Sequence, residues 1–168
     1  EAAREAVRLA RRLALPLEGY TADGGFFVEG DSPLLEAHQR LLGVEAEGAD
    51  LLRLSSPLVR LQVLAEGEAP VERLLEALPR GLQAHVAESP KMPGVRFVSL
   101  TKEGVSKLSA ARLVAEAYGL PLSECAMVGD GENDLQLLRA VGVRIATGNA
   151  PPSVNRPTHR DVAPAEAR

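Results

Sequence analysis

The sequence predicts an α/β protein in two parts: an α+β domain over residues 1–94, then part of a parallel-sheet core over residues 95–168. Three observations carry that reading. Before residue 89 the pattern mixes short hairpin-like strands with short amphipathic helices. A Pro- and Gly-bearing stretch, Ser89-Pro90-Lys91-Met92-Pro93-Gly94, then reads as a linker. Beyond it, apolar strands alternate with helices, which implies parallel pairing through right-handed crossovers.

The elements follow in order. Over residues 1–15, Ala3, Val7 and Ala10 fall on one stripe opposite Glu1, Arg4, Glu5, Arg8 and Arg12, the pattern of a surface helix, and Pro16 ends it. Residues 17–21 and 26–29 read as strands around Asp23-Gly24-Gly25, a turn that tolerates positive φ and favours a hairpin. A helix over 33–42, a half-buried strand over 58–65, a helix over 71–78 and a strand over 83–88 complete the first part. The second part reads as strand 95–100, helix 105–118, strand 125–128, helix 132–140 and strand 143–146.

Composition narrows the function. At 168 residues and 45% hydrophobic content the chain can bury a core. Its 19 Lys and Arg against 23 Asp and Glu are interspersed, with a net charge of -4 and no polybasic run, which argues against nucleic-acid or membrane partners. A lone cysteine, Cys125, excludes an internal disulfide, and no apolar run reaches membrane-spanning length, so a cytoplasmic protein is expected. The chain opens at Glu1 inside a helical pattern, which reads as the edge of a longer protein.

Two segments carry chemistry. In Ala126-Met127-Val128-Gly129-Asp130-Gly131-Glu132-Asn133-Asp134 an apolar strand runs into a glycine-flanked acidic turn that opens a helix. Open α/β sheets bind ligands at this carboxyl edge. Asp130 can offer its carboxylate to a hard cation such as Mg²⁺, and Asn133 and Asp134 can reach the same point. An N-cap role for Asp130 would not by itself require glycines on both sides and an Asn-Asp pair. The second segment is Thr101-Lys102-Glu103-Gly104-Val105-Ser106-Lys107. Lys107, one of three lysines with Lys91 and Lys102, falls in a first helical turn, where a cation opposes the helix dipole. An anion such as a phosphate ester would account for it, whereas Lys102 lies in the loop and is the weaker candidate.

These two motifs, followed by Val143-Arg144-Ile145-Ala146-Thr147-Gly148-Asn149-Ala150, resemble the latter half of haloacid dehalogenase phosphatases of the Cof type, which dephosphorylate sugar phosphates and related metabolites. The resemblance implies a Rossmann-like core, preceded over residues 1–94 by an α+β cap of the C2 type that sets specificity. It also implies Mg²⁺ as cofactor and a small phosphorylated metabolite as partner. Lys107 would be catalytic and bind the substrate phosphate, Asn133 would bind substrate, and Asp130 and Asp134 would hold the metal. The family's nucleophile sits in an Asp-x-Asp-Gly-Thr motif and passes through an aspartyl phosphate. The sequence contains no Asp-x-Asp, and its nearest imitation, Thr21-Ala22-Asp23-Gly24-Gly25, lacks the pair. The nucleophile segment is therefore expected outside these residues, with the chain alone inactive and prone to self-association through an incomplete core. Rival readings are a non-catalytic module that binds Mg²⁺ and phosphometabolites, or a fragment of another phosphotransferase of the same superfamily.

Other residues are read as structural. His38, His85 and His159 lack metal-ligand spacing, Cys125 is expected in the core of its strand, and Tyr20, Phe26 and Phe27 are expected to fill the first domain.

Overall fold

An amphipathic helix opens the chain: α1 (Ala2–Arg12) buries Ala6, Val7, Leu9 and Ala10 and stops at Leu13, ahead of Ala14 at φ 52° and Pro16. The computed structural model describes residues 1–155 and 160–162, so His159 lies outside the described residues. Contacts divide it into two units, Glu1–Glu103 and Gly104–Arg168.

In the first unit, β1 (Leu17–Thr21) and β2 (Phe26–Glu29) form the expected hairpin, with Leu17 opposite Glu29. Gly24 takes φ +89° in its turn, and the Thr21 hydroxyl accepts from Gly25 N at 3.0 Å. Ser32 caps α2 (Pro33–Leu42), Pro33 supplies a preset φ at its start, and Gly43 ends it in the left-handed region. The short β3 (Glu47–Gly48), β4 (Leu58–Glu66), α3 (Ala69–Glu76), β5 (Leu82–Ser89) and β6 (Met92–Lys102) follow. The sheet has six strands in the order β3-β2-β1-β4-β6-β5. Alternation gives it two faces. Leu17, Leu61, Val63, Val98 and Leu100 pack with residues of α1 and α3, while Val28, Leu64, Val95 and Phe97 pack with Leu35 of α2.

Here the expected division of the chain needs correction. Residues 95–100 belong to β6, which pairs antiparallel with both β4 and β5, and residues 89–94 form the β5–β6 hairpin, with Ser89 opposite Met92. The boundary falls after Glu103, not after Gly94. The physical cause is that the six-stranded sheet carries helices on both faces. A strand buried on both sides is apolar at both parities, with Val95 and Phe97 facing one way and Val98 and Leu100 the other. It therefore imitates the strand of a parallel core.

The second unit contains α4 (Lys107–Ala117), a 3₁₀ turn (Leu122–Glu124), β7 (Ala126–Gly129), a second 3₁₀ turn (Glu132–Asp134), α5 (Leu135–Ala140), β8 (Val143–Thr147), α6 (Pro152–Asn155) and β9 (Arg160–Val162). β7, β8 and β9 form a parallel sheet in that order, with Gly129 beside Ala146. Leu138, Ala146, Ala150 and Val154 make its core. Cys125 lies just ahead of β7 rather than inside it, half-buried, with its thiol donating to Pro121 O at 3.6 Å. Among the described residues no helix is long and apolar enough to cross a membrane.

Candidate active site

β7 delivers the acidic turn to the carboxyl edge of the parallel sheet, and its glycines have a steric reason. A Cβ on Gly129 would lie 2.8 Å from both Cβ and Oδ2 of Asp134, and one on Gly131 would lie 2.5 Å from Asn133 Oδ1. Bare backbone at Gly129 lets Asp134 fold back against the strand end. There Asp134 is 3% exposed, although it is charged.

Three donors stabilise that buried carboxylate. Asp134 Oδ2 accepts from the backbone N of Asp130 at 3.2 Å and of Gly131 at 3.1 Å. Oδ1 accepts from Lys107 Nζ at 2.5 Å. Burial works to raise the Asp134 pKa, but the Lys107 hydrogen bond and the two amides outweigh it and hold the carboxyl below its ordinary 3.8.

Lys107 is the first residue of α4, and a capping box sets it in place: Ser106 Oγ accepts from Ser109 N at 3.0 Å, and Ser109 Oγ accepts from Ser106 N at 2.8 Å. Half of its side chain is exposed, and an ammonium has three donors, of which Asp134 takes one. Lys107 and the Asp130 turn thus meet through Asp134, as a shared edge requires. The route differs from expectation, because the strand before Lys107 is β6 of the other sheet.

Asp130 and Asn133 are exposed. Asp130 Oδ2 accepts from Asn149 Nδ2 at 3.5 Å, and Ser153 Oγ donates to Glu132 Oε1 at 3.4 Å. Asn149 and Ser153 were given no role from sequence. The signal was available in the parallel pairing, since a turn that follows β8 must emerge beside the turn that follows β7. Thr147 Oγ1, at the end of β8, is buried without a hydrogen-bond partner.

The donor set suits a hard, oxygen-seeking cation at Asp130, whose carboxylate is accessible. Asp134 is less available, because both its oxygens are engaged. Among the described residues no three His, Cys, Asp or Glu side chains cluster as a complete metal cage. Mg²⁺ tolerates such a site, since it keeps several waters and takes phosphate oxygens in their place.

A model of the haloacid dehalogenase-like hydrolase family matches residues 63–160, and the chain belongs to that family. It is 28% identical over 137 residues to the HMP-PP phosphatase of Cronobacter sakazakii, which covers 79% of this chain and 48% of that relative. A crystal structure from Eubacterium rectale superimposes with TM-score 0.79 at 24% identity, covering 96% of this chain and 61% of the other. A subclass IIB sugar phosphatase of the same superfamily gives TM-score 0.74 at 18% identity, covering 98% and 61%. The chain therefore spans about half the length of the curated relative and about three fifths of these structures.

Proposed function

We propose that these residues form the phosphate- and metal-binding part of a Mg²⁺-dependent phosphatase acting on sugar phosphates or similar small phosphorylated metabolites. The observation that carries this is the Lys107–Asp134 pair joined to the Asp130 turn at one strand edge. Lys107 binds the substrate phosphate and offsets charge that develops on its oxygens. Asp130 is the residue that would hold Mg²⁺, and Asn133, exposed in the same turn, reaches toward the phosphate. Asp134 acts through Lys107, fixing the ammonium and the turn. When bound, the cation would supply Lewis-acid polarisation of a phosphoryl oxygen. A nucleophilic aspartate is assigned to residues outside these 168, because the sequence has no Asp-x-Asp pair. The similarity to the named phosphatases supports the reaction class, and a cytoplasmic setting is part of the same proposal.

Calorimetric titration with Mg²⁺ and with inorganic phosphate tests the reading. Asp130→Asn should abolish Mg²⁺ binding, and Lys107→Met should weaken phosphate about tenfold or more while the fold persists. Unchanged affinities in folded variants would return both residues to structural roles. Binding of both ligands, with no phosphate release even when an Asp-x-Asp segment is present in the longer protein, would favour the non-catalytic module.

A further inference from the structure

The first unit holds a second polar constellation, on the sheet face that α2 packs against. Beside the apolar α2 contacts that face carries Glu18, which His38 of α2 meets, and continues as Tyr20 of β1, Phe26 of β2, Arg60 and Gln62 of β4 and Ser99 of β6. Register places Tyr20 opposite both Phe26 and Arg60, and Gln62 opposite both Glu18 and Ser99. Glu18 and Gln62 are buried, while Tyr20, Phe26, Arg60 and Ser99 are half-buried.

The hydrogen bonds on this face form one directional network. Glu18 Oε1 pairs with His38 Nδ1 at 2.6 Å, and Glu18 Oε2 accepts from Tyr20 OH at 2.9 Å and Gln62 Nε2 at 3.0 Å. Gln62 Oε1 in turn accepts from Ser99 Oγ at 3.2 Å and from a terminal nitrogen of Arg60. Burial, the Glu18 charge and the bond to Glu18 push the Tyr20 phenol up, with Arg60 opposing, so Tyr20 remains a donor. Every acceptor is therefore supplied. Among the buried side-chain donors of this face, Arg60 Nε is without a hydrogen-bond partner.

Arg60 is also preorganised. Its guanidinium lies 4.8 Å from the centroid of the Tyr20 ring, which is stacked on Phe26 at 4.9 Å. Neither an aromatic face nor an amide oxygen neutralises its charge. A guanidinium has donors only, in a planar fork that matches the two oxygens of a carboxylate or phosphate. We propose that Arg60, held over the Tyr20 ring and bonded to the Gln62 amide oxygen, is an oxyanion receptor that takes a phosphate or carboxylate group of a small metabolite. This site belongs to residues 1–103, not to the unit that carries Lys107, and it does not depend on the phosphatase reading.

The test observes the side chain itself. The full 168-residue chain, labelled with ¹⁵N, is titrated with inorganic phosphate in one arm and acetate in the other, and the Arg60 Nε–Hε resonance and Tyr20 ring signals are followed. Saturable shifts of both in the parent chain and equally in Lys107→Met are expected, with affinity about tenfold or more weaker in Arg60→Lys, which keeps the charge but loses the fork. The arm that saturates at lower concentration identifies the oxyanion. A stationary Arg60 signal in both arms would overturn the proposal, as would shifts abolished by Lys107→Met. Because the parent resonance decides, a poorly folded Arg60→Lys does not leave the question open. Failure of the phosphatase reading would instead appear as no Lys107-dependent response at the Asp130 and Gly131 amides.

Discussion

Asp134 is the residue on which the candidate active site turns, and it is a charge kept inside protein by three donors. Removing one partner from such an arrangement costs more than the net worth of the bonds. Asp134→Asn should lower stability by about 1–3 kcal/mol in chemical denaturation, because the amide cannot reproduce the charged bond to Lys107. The sign of the pH effect follows from the depressed pKa. The stabilisation is fully present above the ordinary 3.8 and is lost as pH falls through the lower folded value. Denaturation series below about pH 4 should therefore fall more steeply for the parent chain than for Asp134→Asn. The flanking glycines separate in a similar way. A methyl at Gly129 meets Asp134 Cβ, which cannot swing aside, whereas one at Gly131 meets the mobile end of Asn133. Gly129→Ala should cost about 1–3 kcal/mol and Gly131→Ala less than about 1, as read from melting temperatures. The sequence motif marked both glycines but could not rank them, since the ranking depends on where Asp134 and Asn133 point.

At the scale of elements, local chemistry made most boundaries readable. Asp23-Gly24-Gly25 announced the β1–β2 hairpin, and Ser32-Pro33 and Gly43 bracketed α2. The two-residue β3 has no periodicity to detect, and the Asn149 and Ser153 contacts arise only when two strand ends are brought side by side. Tyr20 and Phe26 were legible as packed aromatics, but the guanidinium over Tyr20 was not, because residues 20 and 60 become neighbours only through β1–β4 pairing. Two substitutions probe element joints. Ser106→Ala should lower stability by about 1 kcal/mol by removing the α4 cap, and Ser106→Asp should restore most of it. Gly142→Ala should be far worse, since its Cβ would fall 1.8 Å from the backbone oxygen of Ser123. A loss of more than about 3 kcal/mol, or failure to fold, is expected, with the native near-ultraviolet circular dichroism of the parent as reference.

For the whole molecule, the hydrophobic clusters respect the division at Glu103. The two larger ones lie within the first unit, and the four-residue cluster of Leu138, Ala146, Ala150 and Val154 lies within the second. Small domains bury a smaller fraction of their surface and are correspondingly marginal. Native-state hydrogen exchange should therefore show β4 and β6 amides opening only with global unfolding, while β7 and β8 exchange through a lower-energy opening. Equal protection of the two sheets would contradict the division. The sequence showed two domains but set the seam early, and the cause was β6, apolar on both faces.

That strand also governs which changes of length the chain can absorb. β6 is hydrogen-bonded on both sides, to β4 from Val95 to Leu100 and to β5 from Met92 to Lys102. One amino acid inserted between Phe97 and Val98 would reverse the parity of everything downstream, turning Ser99 toward the α1 side and Leu100 toward the Arg60 face. An insertion in the exposed stretch around Glu45 would displace no paired strand of comparable length. In a scan of single-codon insertions scored by soluble yield, residues 93–101 should form a continuous intolerant block. The segment near Glu45 should accept additions, since loop closure costs rise only slowly with length.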